Sequence, residues 1–353
     1  MTKETKEELL NLTQKHKAIG ISEQIDYDKF YLYSLITHST SIEGSTVTEV
    51  EAQLLFDEGI TSSKRTIQEQ LMNLDLKAAY EYGMDWIKQH EDITTDWLIK
   101  LASKVMANTG SEYHCIGGDF SAAKGELRRL NVTAGVGGKS YMSYLKVPEK
   151  LEAFCKELNG RRKALDKTDI AAIYELSFWA HFELVTIHPW ADGNGRTSRL
   201  LMNLIQMEFG QLPTKVTKED KAEYIQALID SREKDDTNII IDCMTRLHCQ
   251  HLKQDIDQYT ECTSEKMADK CGLIEFLADK YKIRPTLAQK LADILTYAEE
   301  KDTLTTEDIR KKFGFTETTA KRYLRQLSEY GYLAPQGANK NRTYIKTGKD
   351  TLI

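Results

Sequence analysis

The stretch that decides the fold is a short polar segment between two strongly apolar ones. It reads His188-Pro189-Trp190-Ala191-Asp192-Gly193-Asn194-Gly195-Arg196-Thr197-Ser198-Arg199. Before it, Ile170–Thr186 is apolar nearly all round, which predicts a buried helix at the centre of a bundle. After it, Leu200–Phe209 continues as a second apolar helix. The quoted segment is therefore predicted to be a connection between two helices of a core.

The composition of the 353-residue chain favours a folded, mostly helical protein. Hydrophobic residues make up 41% and charged residues 29%, so a core can be buried. Only 5 prolines leave few helix breakers. The length predicts two or three domains. A net charge of −6 argues against a nucleic-acid binder that is basic along its whole length.

The sequence predicts neither a membrane span nor a secretion signal. We find no apolar run that approaches the roughly 18 residues of a membrane-spanning helix. The N-terminus is mixed in charge and lacks the apolar stretch of a signal peptide. The 6 cysteines include no Cys-x-x-Cys pair, which favours free thiols in a reducing compartment. We therefore expect a cytoplasmic protein with no membrane partner.

The residue types of the central segment suit a nucleotide polyphosphate. Gly193-Asn194-Gly195 lets backbone amides approach an anion, and the helix that follows presents its positive N-terminus. Arg196 and Arg199 share a face in the first turn, where cations are unfavourable unless they bind an anion. Asp192 offers a hard oxygen ligand for magnesium. His188 stands just before the loop, where its imidazole could take a proton.

This twelve-residue segment resembles the signature of the Fic (filamentation induced by cAMP) family, His-Pro-Phe-x-Asp/Glu-Gly-Asn-Gly-Arg-x-x-Arg. The one departure is Trp190 for the usual phenylalanine, which keeps an apolar aromatic anchor. The resemblance covers roughly residues 30–250. Most members with an intact motif transfer AMP from ATP to a serine, threonine or tyrosine hydroxyl of a protein. The resemblance therefore implies ATP as substrate, Mg²⁺, and a target protein that could be the chain itself.

The resemblance also implies a role for each residue of the motif. His188 would be the general base that deprotonates the target hydroxyl, and Asp192 would hold Mg²⁺ on the phosphates. The anion hole and the two phosphate-binding arginines would be Gly193, Asn194, Gly195, Arg196 and Arg199. Downstream, Tyr224 and Arg232 lie on one predicted helix face, and the resemblance places this segment at the adenine pocket. A plain amphipathic helix is the alternative for this segment.

A hairpin is predicted ahead of the motif. Two short alternating runs, Arg128–Val136 and Lys139–Leu145, flank Gly137-Gly138. The resemblance implies that this is the family's flap, which aligns a target segment beside the site by strand addition. An ordinary surface hairpin is the alternative. No other strand pair stands out in the first 300 residues.

A second short segment, Ser39-Thr40-Ser41-Ile42-Glu43-Gly44, resembles the inhibitory motif of one class of the family, Ser/Thr-x-x-x-Glu-Gly/Asn. A glutamate paired with Arg199 would neutralise it and occupy the space of the γ-phosphate. ATP could then not settle with its α-phosphate in line for attack. Ser39 and Glu43, four residues apart, could share a helix face, so that the hydroxyl orients the carboxylate. A solvated helix end is the alternative.

The C-terminal region reads as a winged helix-turn-helix, with three helices followed by two short strand-like runs. Residues 311–346 carry eight basic and two acidic side chains, a local net charge of +6 in an acidic protein. Such a charge is typical of DNA contact, and winged helices are also protein-docking modules. We therefore expect a DNA or protein contact through residues 286–353.

Together these patterns predict a mainly α protein, a Fic-type helical bundle with a β-hairpin flap and a small C-terminal winged-helix domain. The predicted regions are an N-terminal helical region with the inhibitory motif (1–100), the Fic core (101–255), a helical linker (256–285) and the winged helix (286–353). The predicted function is a protein adenylyltransferase that Glu43 inhibits. The alternatives are a DNA-binding regulator with a nucleotide-sensing Fic domain, and an enzyme that removes AMP. The sequence leaves a homodimer open.

Overall fold

A computed structural model describes residues 1–23, 26–133, 139–299, 301, 303–337 and 342–347. The chain divides into two compact units, Met1–Ile256 and Asp257–Ile353. Helices dominate both units, so the mainly α architecture predicted from the sequence is confirmed.

Helices of the first unit follow one another through short loops. In chain order they are α1 (Lys3–Ala18), α2 (Tyr27–Ile42), α3 (Glu49–Glu58), α4 (Ile67–Ile87), α5 (Thr95–Val105), α6 (Val147–Ala164), α7 (Ile170–Ile187), α8 (Asn194–Glu208) and α9 (Lys221–Lys234). Two 3₁₀ turns accompany them, at Ile21–Glu23 and Tyr144–Lys146. Helix α10 (Asn238–Tyr281) begins in this unit and ends in the second.

Side-chain caps explain where several helices begin. Thr48 and Glu51 form a capping box before α3: the Glu51 amide donates to the Thr48 hydroxyl at 3.3 Å and the Thr48 amide donates to the Glu51 carboxylate at 2.9 Å. Helix α7 begins directly after Asp169, its N-cap residue. There the Asp169 carboxylate accepts from the Ala172 amide at 3.1 Å.

Helices α7 and α8 form the buried centre of the first unit. Tyr174 and Phe178 of α7 and Leu204 of α8 are fully buried. Helix α4 packs so closely on α8 that a Cβ at Gly83 would collide with the Leu204 side chain. This packing fixes both ends of the segment His188–Gly193 that joins the two central helices.

Helix α7 corrects the expectation that no apolar run approaches the length of a membrane-spanning helix. Its 18 residues have a mean hydropathy of 1.2, enough by length and composition for a membrane span, and it alone reaches that level among the described helices. However, 67% of it is buried inside the unit, as expected for the central helix of a bundle.

A short strand pair that the sequence analysis missed lies between α5 and α6. Strands β1 (Glu112–Tyr113) and β2 (Phe120–Ser121) pair antiparallel, and the rings of Tyr113 and Phe120 stack at 4.9 Å. Two residues per strand are too few to show an alternating pattern.

Of the hairpin predicted over 128–145, the described residues form its stem. Thr133 and Ser140 make an antiparallel bridge, and the Tyr141 amide donates to the Val132 carbonyl at 3.0 Å. The turn at Gly137-Gly138 lies outside the described residues. The flap therefore stays a prediction.

The second unit has its own apolar core of helices and a small sheet. Its elements are α11 (Pro285–Glu299), β3 (Leu304–Thr305), α12 (Thr306–Phe313), α13 (Glu317–Glu329), β4 (Leu333–Gln336) and β5 (Thr343–Lys346). The antiparallel sheet has the order β3-β5-β4. Its first strand was not predicted, because Leu304 and Thr305 are strand residues only by pairing with β5. The apolar core of this unit includes the fully buried side chains of Ile294, Ile309 and Leu324.

Candidate active site

Two residues in left-handed backbone conformations shape the turn between α7 and α8. His188 ends α7 with φ +52°, and its amide donates to the Leu184 carbonyl at 3.1 Å. Gly193 precedes α8 with φ +81°, and a Cβ there would lie 2.7 Å from the Met106 Sδ. Glycine is therefore required at 193 both for its backbone angle and for space.

The side chain of Asn194 closes this turn. The Trp190 amide donates to the Asn194 Oδ1 at 3.1 Å, and the Asn194 Nδ2 donates to the Trp190 carbonyl at 2.8 Å. Both ends of the side-chain amide are therefore occupied within the loop. The sequence analysis placed Asn194 in an anion hole, whereas the structure uses its side chain to hold the backbone that would form one.

Trp190 anchors the loop to the preceding segment. It is 1% exposed, and its indole N–H donates to the Gly125 carbonyl at 2.9 Å. The usual phenylalanine of the motif could not make this bond. The departure at Trp190 therefore adds a hydrogen bond that ties the loop to the stretch ahead of the predicted flap.

Replacing Trp190 with phenylalanine is expected to destabilise the protein by about 1–3 kcal/mol, because the buried Gly125 carbonyl loses its donor. Urea unfolding measures the change. Trp97→Phe is the matched control, since the Trp97 indole N–H has no hydrogen-bond partner among the described residues. Equal losses of stability in the two variants would contradict a specific role for the Trp190 bond.

Arg196 is buried without a full set of partners. It is 3% exposed, its Nη2 lies 3.1 Å from the Met106 Sδ and 3.6 Å from an Asp192 oxygen, and burial lowers its pKa. Its Nε and Nη1 have no hydrogen-bond partner in the described part of the chain. A buried guanidinium with free donors is costly unless it receives an anion. The side chain is therefore suited to bind a phosphate oxygen.

Arg199, the other arginine of α8, already holds an anion from the same chain. Its Nη2 donates to a Glu43 carboxylate oxygen at 2.7 Å, and its Nε donates to the Ser39 hydroxyl at 3.0 Å. The same Nη2 also donates to the Ser39 carbonyl at 3.0 Å. The last turn of α2 thus engages the guanidinium from two directions.

Both members of this ion pair are charged. Burial alone would raise the pKa of Glu43, but Arg199 outweighs it and the pKa is lowered. Burial would likewise lower the pKa of Arg199, and Glu43 followed by Tyr224 raises it instead. The Glu43 carboxylate also lies at the start of α8, where a Cβ on Gly195 would come within 2.6 Å of its Oε1. It therefore stands where a phosphate oxygen would meet the helix N-terminus.

His188 presents a neutral imidazole to the site. Burial lowers its pKa to about 4, and its Nδ1 lies 3.3 Å from the Val185 carbonyl. A carbonyl can only accept, so we assign the proton to Nδ1, which leaves the Nε2 lone pair free. The ring of Tyr141 stacks on the imidazole at 3.8 Å with an angle of 17°. The base is therefore covered on one face by the stem of the predicted hairpin.

The two residues predicted for the adenine pocket, Tyr224 and Arg232, lie close to Arg199 and to Tyr141 respectively. Tyr224 is 1% exposed, its hydroxyl lies 2.9 Å from the His181 Nε2, and it interacts with Arg199. Arg232 lies with its guanidinium 4.9 Å from the centre of the Tyr141 ring. Tyr224 thus supports Arg199 from the buried side, since its ring is enclosed by α7, α8 and α9. Arg232 faces Tyr141 of the hairpin stem, and its place in an adenine pocket stays a prediction.

Asp192 has the exposure that a metal ligand on a nucleotide needs. Its side chain is 56% exposed, and one oxygen accepts from the Gly193 amide at 2.6 Å. Among the described residues, no group of three or more His, Cys, Asp or Glu side chains could hold a metal by itself. Mg²⁺ commonly binds through one or two carboxylates and the phosphates of a substrate. A single exposed carboxylate fits that arrangement.

Sequence reasoning missed three residues of the site, Met106, Arg128 and Tyr141. Met106 is 1% exposed and fills the space beside Gly193 and Arg196. A methionine at the end of a helix carries no motif that could have identified it. An isolated arginine at the first position of a predicted hairpin, or a tyrosine within it, offers no such signal either.

Comparison with known proteins shows which family the region around this site resembles. Residues 92–206 match the model of the Fic/DOC family. Protein adenylyltransferase fic-1 of Caenorhabditis elegans is 29% identical over 204 residues, 57% of this chain and 36% of that protein. Protein adenylyltransferase Fic of Drosophila melanogaster is 28% identical over 233 residues, 64% of this chain and 42% of that protein. The chain thus spans about two fifths of the length of these relatives.

Solved structures show the same fold. Fic-1 (aa134 - 508) from C. elegans has a TM-score of 0.56 at 21% identity, over 74% of this chain and 73% of that one. A Fic family protein from Desulfovibrio desulfuricans G20 has a TM-score of 0.59 at 17% identity, over 99% of this chain and 98% of that one. The Fic domain predicted from the sequence is therefore confirmed.

Proposed function

We propose that the protein transfers AMP from ATP to a hydroxyl of a protein and that Glu43 inhibits this reaction. The relatives named as protein adenylyltransferases support the reaction class. The observation that carries the proposal is the Glu43 carboxylate at the N-terminus of α8, 2.7 Å from Arg199. A carboxylate there fills a site suited to an anion, beside Arg196, whose buried Nε and Nη1 have no partner among the described residues.

His188 would act as the general base. The target hydroxyl oxygen attacks the α-phosphorus of ATP, the bond from that phosphorus to the bridging oxygen breaks, and pyrophosphate leaves. The proton of the hydroxyl passes to the Nε2 of His188. Because burial lowers the pKa of His188 to about 4, the imidazole is neutral and able to accept it near pH 7. The Nδ1 contact with Val185 orients the ring.

The phosphates would lie over the start of α8. The amides of Gly193 and Gly195, Arg196 and, once Glu43 withdraws, Arg199 would bind them. The unpaired Nε and Nη1 of Arg196 support this fit. Asp192 would hold the Mg²⁺, which when bound neutralises charge on the phosphates.

The inhibitory contact requires α2 to keep its present position. Ser39 and Glu43 both engage Arg199, and Lys221 of α9 donates to the Ile42 carbonyl at 2.7 Å. With the carboxylate in place, ATP would bind with its phosphates displaced from the in-line position. Ser39→Ala should therefore release the inhibition in part, because the carboxylate keeps its ion pair but loses a neighbour that fixes the arginine.

Tyr224 and Arg232 take supporting roles in this proposal. Tyr224 holds Arg199 from below together with His181. Arg232 packs on Tyr141, and Glu233 pairs with Lys139 at 2.9 Å. Helix α9 therefore holds the second half of the predicted flap through two contacts. A flap held in this way would present a fixed edge to a target segment.

The direct experiment follows labelled ATP with Mg²⁺ in wild type and in Glu43→Gly, with the label on the protein itself as the readout. Glu58→Gly is the matched control, since Glu58 is an exposed glutamate at the end of another helix, α3. The proposal is supported if label carried on the AMP part of ATP becomes attached to the protein. Absence of any transfer in all three proteins, with added protein targets, would reject it.

The C-terminal unit supports a second candidate activity, contact with DNA. We infer a winged helix from its three helices and the sheet order β3-β5-β4. Part of the positive charge on α13 is neutralised, because Lys321 pairs with Glu317 at 2.6 Å and Arg325 pairs with Glu329 at 2.8 Å. DNA binding would therefore depend on basic side chains outside these two ion pairs. Docking of a protein is the competing role.

Removal of residues 286–353 is expected to abolish any affinity for duplex DNA and to leave labelling chemistry intact. The physical reason is that the candidate site lies in the separate unit Met1–Ile256. Duplex binding measured against salt concentration checks the expectation, since phosphate contacts weaken as salt rises. If the full chain does not bind duplex DNA even at low salt, the DNA-binding role is rejected and protein docking is favoured.

A further inference from the structure

Arg128 is a deeply buried arginine whose donors, among the residues that the structure describes, meet backbone carbonyls. It is 1% exposed. Its Nε donates to the His188 carbonyl at 2.8 Å, and its Nη1 donates to the Leu130 carbonyl at 2.8 Å. Its Nη2 donates to the Met142 carbonyl at 2.6 Å. One guanidinium thus joins the base-bearing turn to both strands of the predicted hairpin.

The backbone of Arg128 reinforces the same junction. Its amide donates to the Pro189 carbonyl at 3.0 Å, beside the bond from its side chain to His188. Within the described residues, no carboxylate lies within ion-pair distance of the Arg128 guanidinium. Burial lowers its pKa, but an arginine stays protonated in a protein. Burial of an unpaired charge is costly, so its three charge-assisted bonds point to a positional requirement.

We propose that Arg128 is a positioning residue that couples the flap to His188, so that the strand edge which receives a target and the base that deprotonates it keep one fixed geometry. The inference rests on the proposed transfer reaction. His188 has a left-handed backbone, and the direction of its side chain follows from where its carbonyl is held. Leu130 lies before and Met142 after the Thr133–Ser140 bridge of the hairpin stem, so the two carbonyls belong to its two sides. If either side of the hairpin stem shifts, the Arg128 guanidinium therefore transmits the shift to the backbone of His188 and so to its imidazole.

The charge of Arg128 also acts on the base. The groups that face His188 are Arg128 on the hairpin stem, Arg232 on α9, Glu43 after α2 and the stacked Tyr141. The two arginines favour the neutral imidazole, whereas Glu43 favours the protonated one. Loss of the Arg128 charge should therefore raise the pKa of His188, and transfer should fail at a higher pH on the acid side.

The test compares Arg128→Gln with Arg129→Gln, both in the Glu43→Gly protein. Arg129 is the next residue and is exposed, so its variant removes the same charge without touching the junction. For Arg128→Gln we expect kcat to fall about 100-fold, the result of a misplaced reacting group, with KM for ATP unchanged within about twofold. The acid limb of the pH profile should move to higher pH. Arg129→Gln should match its parent in all three measurements.

Arg128→Lys separates geometry from charge. A lysine keeps the positive charge but lacks the planar fork that reaches three carbonyls. We expect the acid limb of the pH profile of Arg128→Lys to match that of the Glu43→Gly parent. We expect its kcat to be well below the parent's kcat. Full activity in Arg128→Lys, or a rise in KM for ATP with kcat unchanged in Arg128→Gln, would overturn the proposal. Loss of both ATP binding and cooperative melting in both variants would make Arg128 merely structural and would also overturn it.

Hydrogen exchange distinguishes failure of this inference from failure of the proposed function. The Tyr141 amide is bonded to Val132 in the hairpin stem, so backbone amides over 141–146 should exchange faster in Arg128→Gln than in Arg129→Gln. If no variant, including Glu43→Gly itself, transfers AMP, the proposed function fails. The exchange result then still decides whether Arg128 holds the flap, and equal exchange in the two variants would refute that.

Discussion

Glu43→Gly is expected to raise labelling by AMP roughly 10- to 100-fold over wild type at saturating ATP, because an internal carboxylate competes with the γ-phosphate at high effective concentration. The carboxylate is 2.7 Å from Arg199 and occupies the start of α8. Its removal frees the guanidinium for the phosphate. The initial rate of incorporation from α-labelled ATP measures the effect.

The affinity for ATP should change less than turnover in this variant, because a displaced nucleotide still binds but does not react. Isothermal titration gives the affinity, and Glu58→Gly controls for the loss of a surface carboxylate. Equal labelling in wild type and Glu43→Gly would make Glu43 an ordinary helix-end residue. If the variant instead loses an ability to remove AMP from a labelled protein, Glu43 is catalytic and the alternative of an AMP-removing enzyme is favoured.

His188→Ala is expected to lower transfer by about 10²- to 10⁴-fold in the Glu43→Gly protein and to leave ATP affinity within a few-fold. The base acts on the target hydroxyl and makes no predicted contact with the phosphates. His114→Ala is the matched control, since His114 is largely exposed and pairs with Asp119. A loss of ATP affinity as large as that in Arg196→Ala would contradict the assignment.

The same residue predicts a pH dependence. A histidine whose pKa is lowered to about 4 is neutral at and above about pH 5 and becomes protonated as the pH falls further. Transfer by Glu43→Gly should therefore persist below the ordinary histidine range and fail only near pH 4. Loss of activity already at pH 6.5 in a folded protein would show that another group titrates.

Much of the local structure could be predicted from neighbouring residues. The capping box of Thr48 and Glu51 and the left-handed Gly193 follow from side chains within a few positions of each other. The apolar run Ile170–Thr186 likewise predicted the central helix, which extends one residue further to Ile187. These features depend on short-range backbone geometry and periodicity, which a sequence displays directly.

What the sequence by itself determined is the turn His188–Arg199 with its two apolar flanking helices, and a glutamate segment far upstream. Only the tertiary structure decided what these groups touch. Arg199 meets Glu43 across 156 positions in the sequence. The Asn194 side-chain amide bonds to the Trp190 backbone, and Tyr224 interacts with both His181 and Arg199. The reason is physical: such contacts depend on which buried faces pack together, and that packing brings together residues whose separation in the chain carries no pattern.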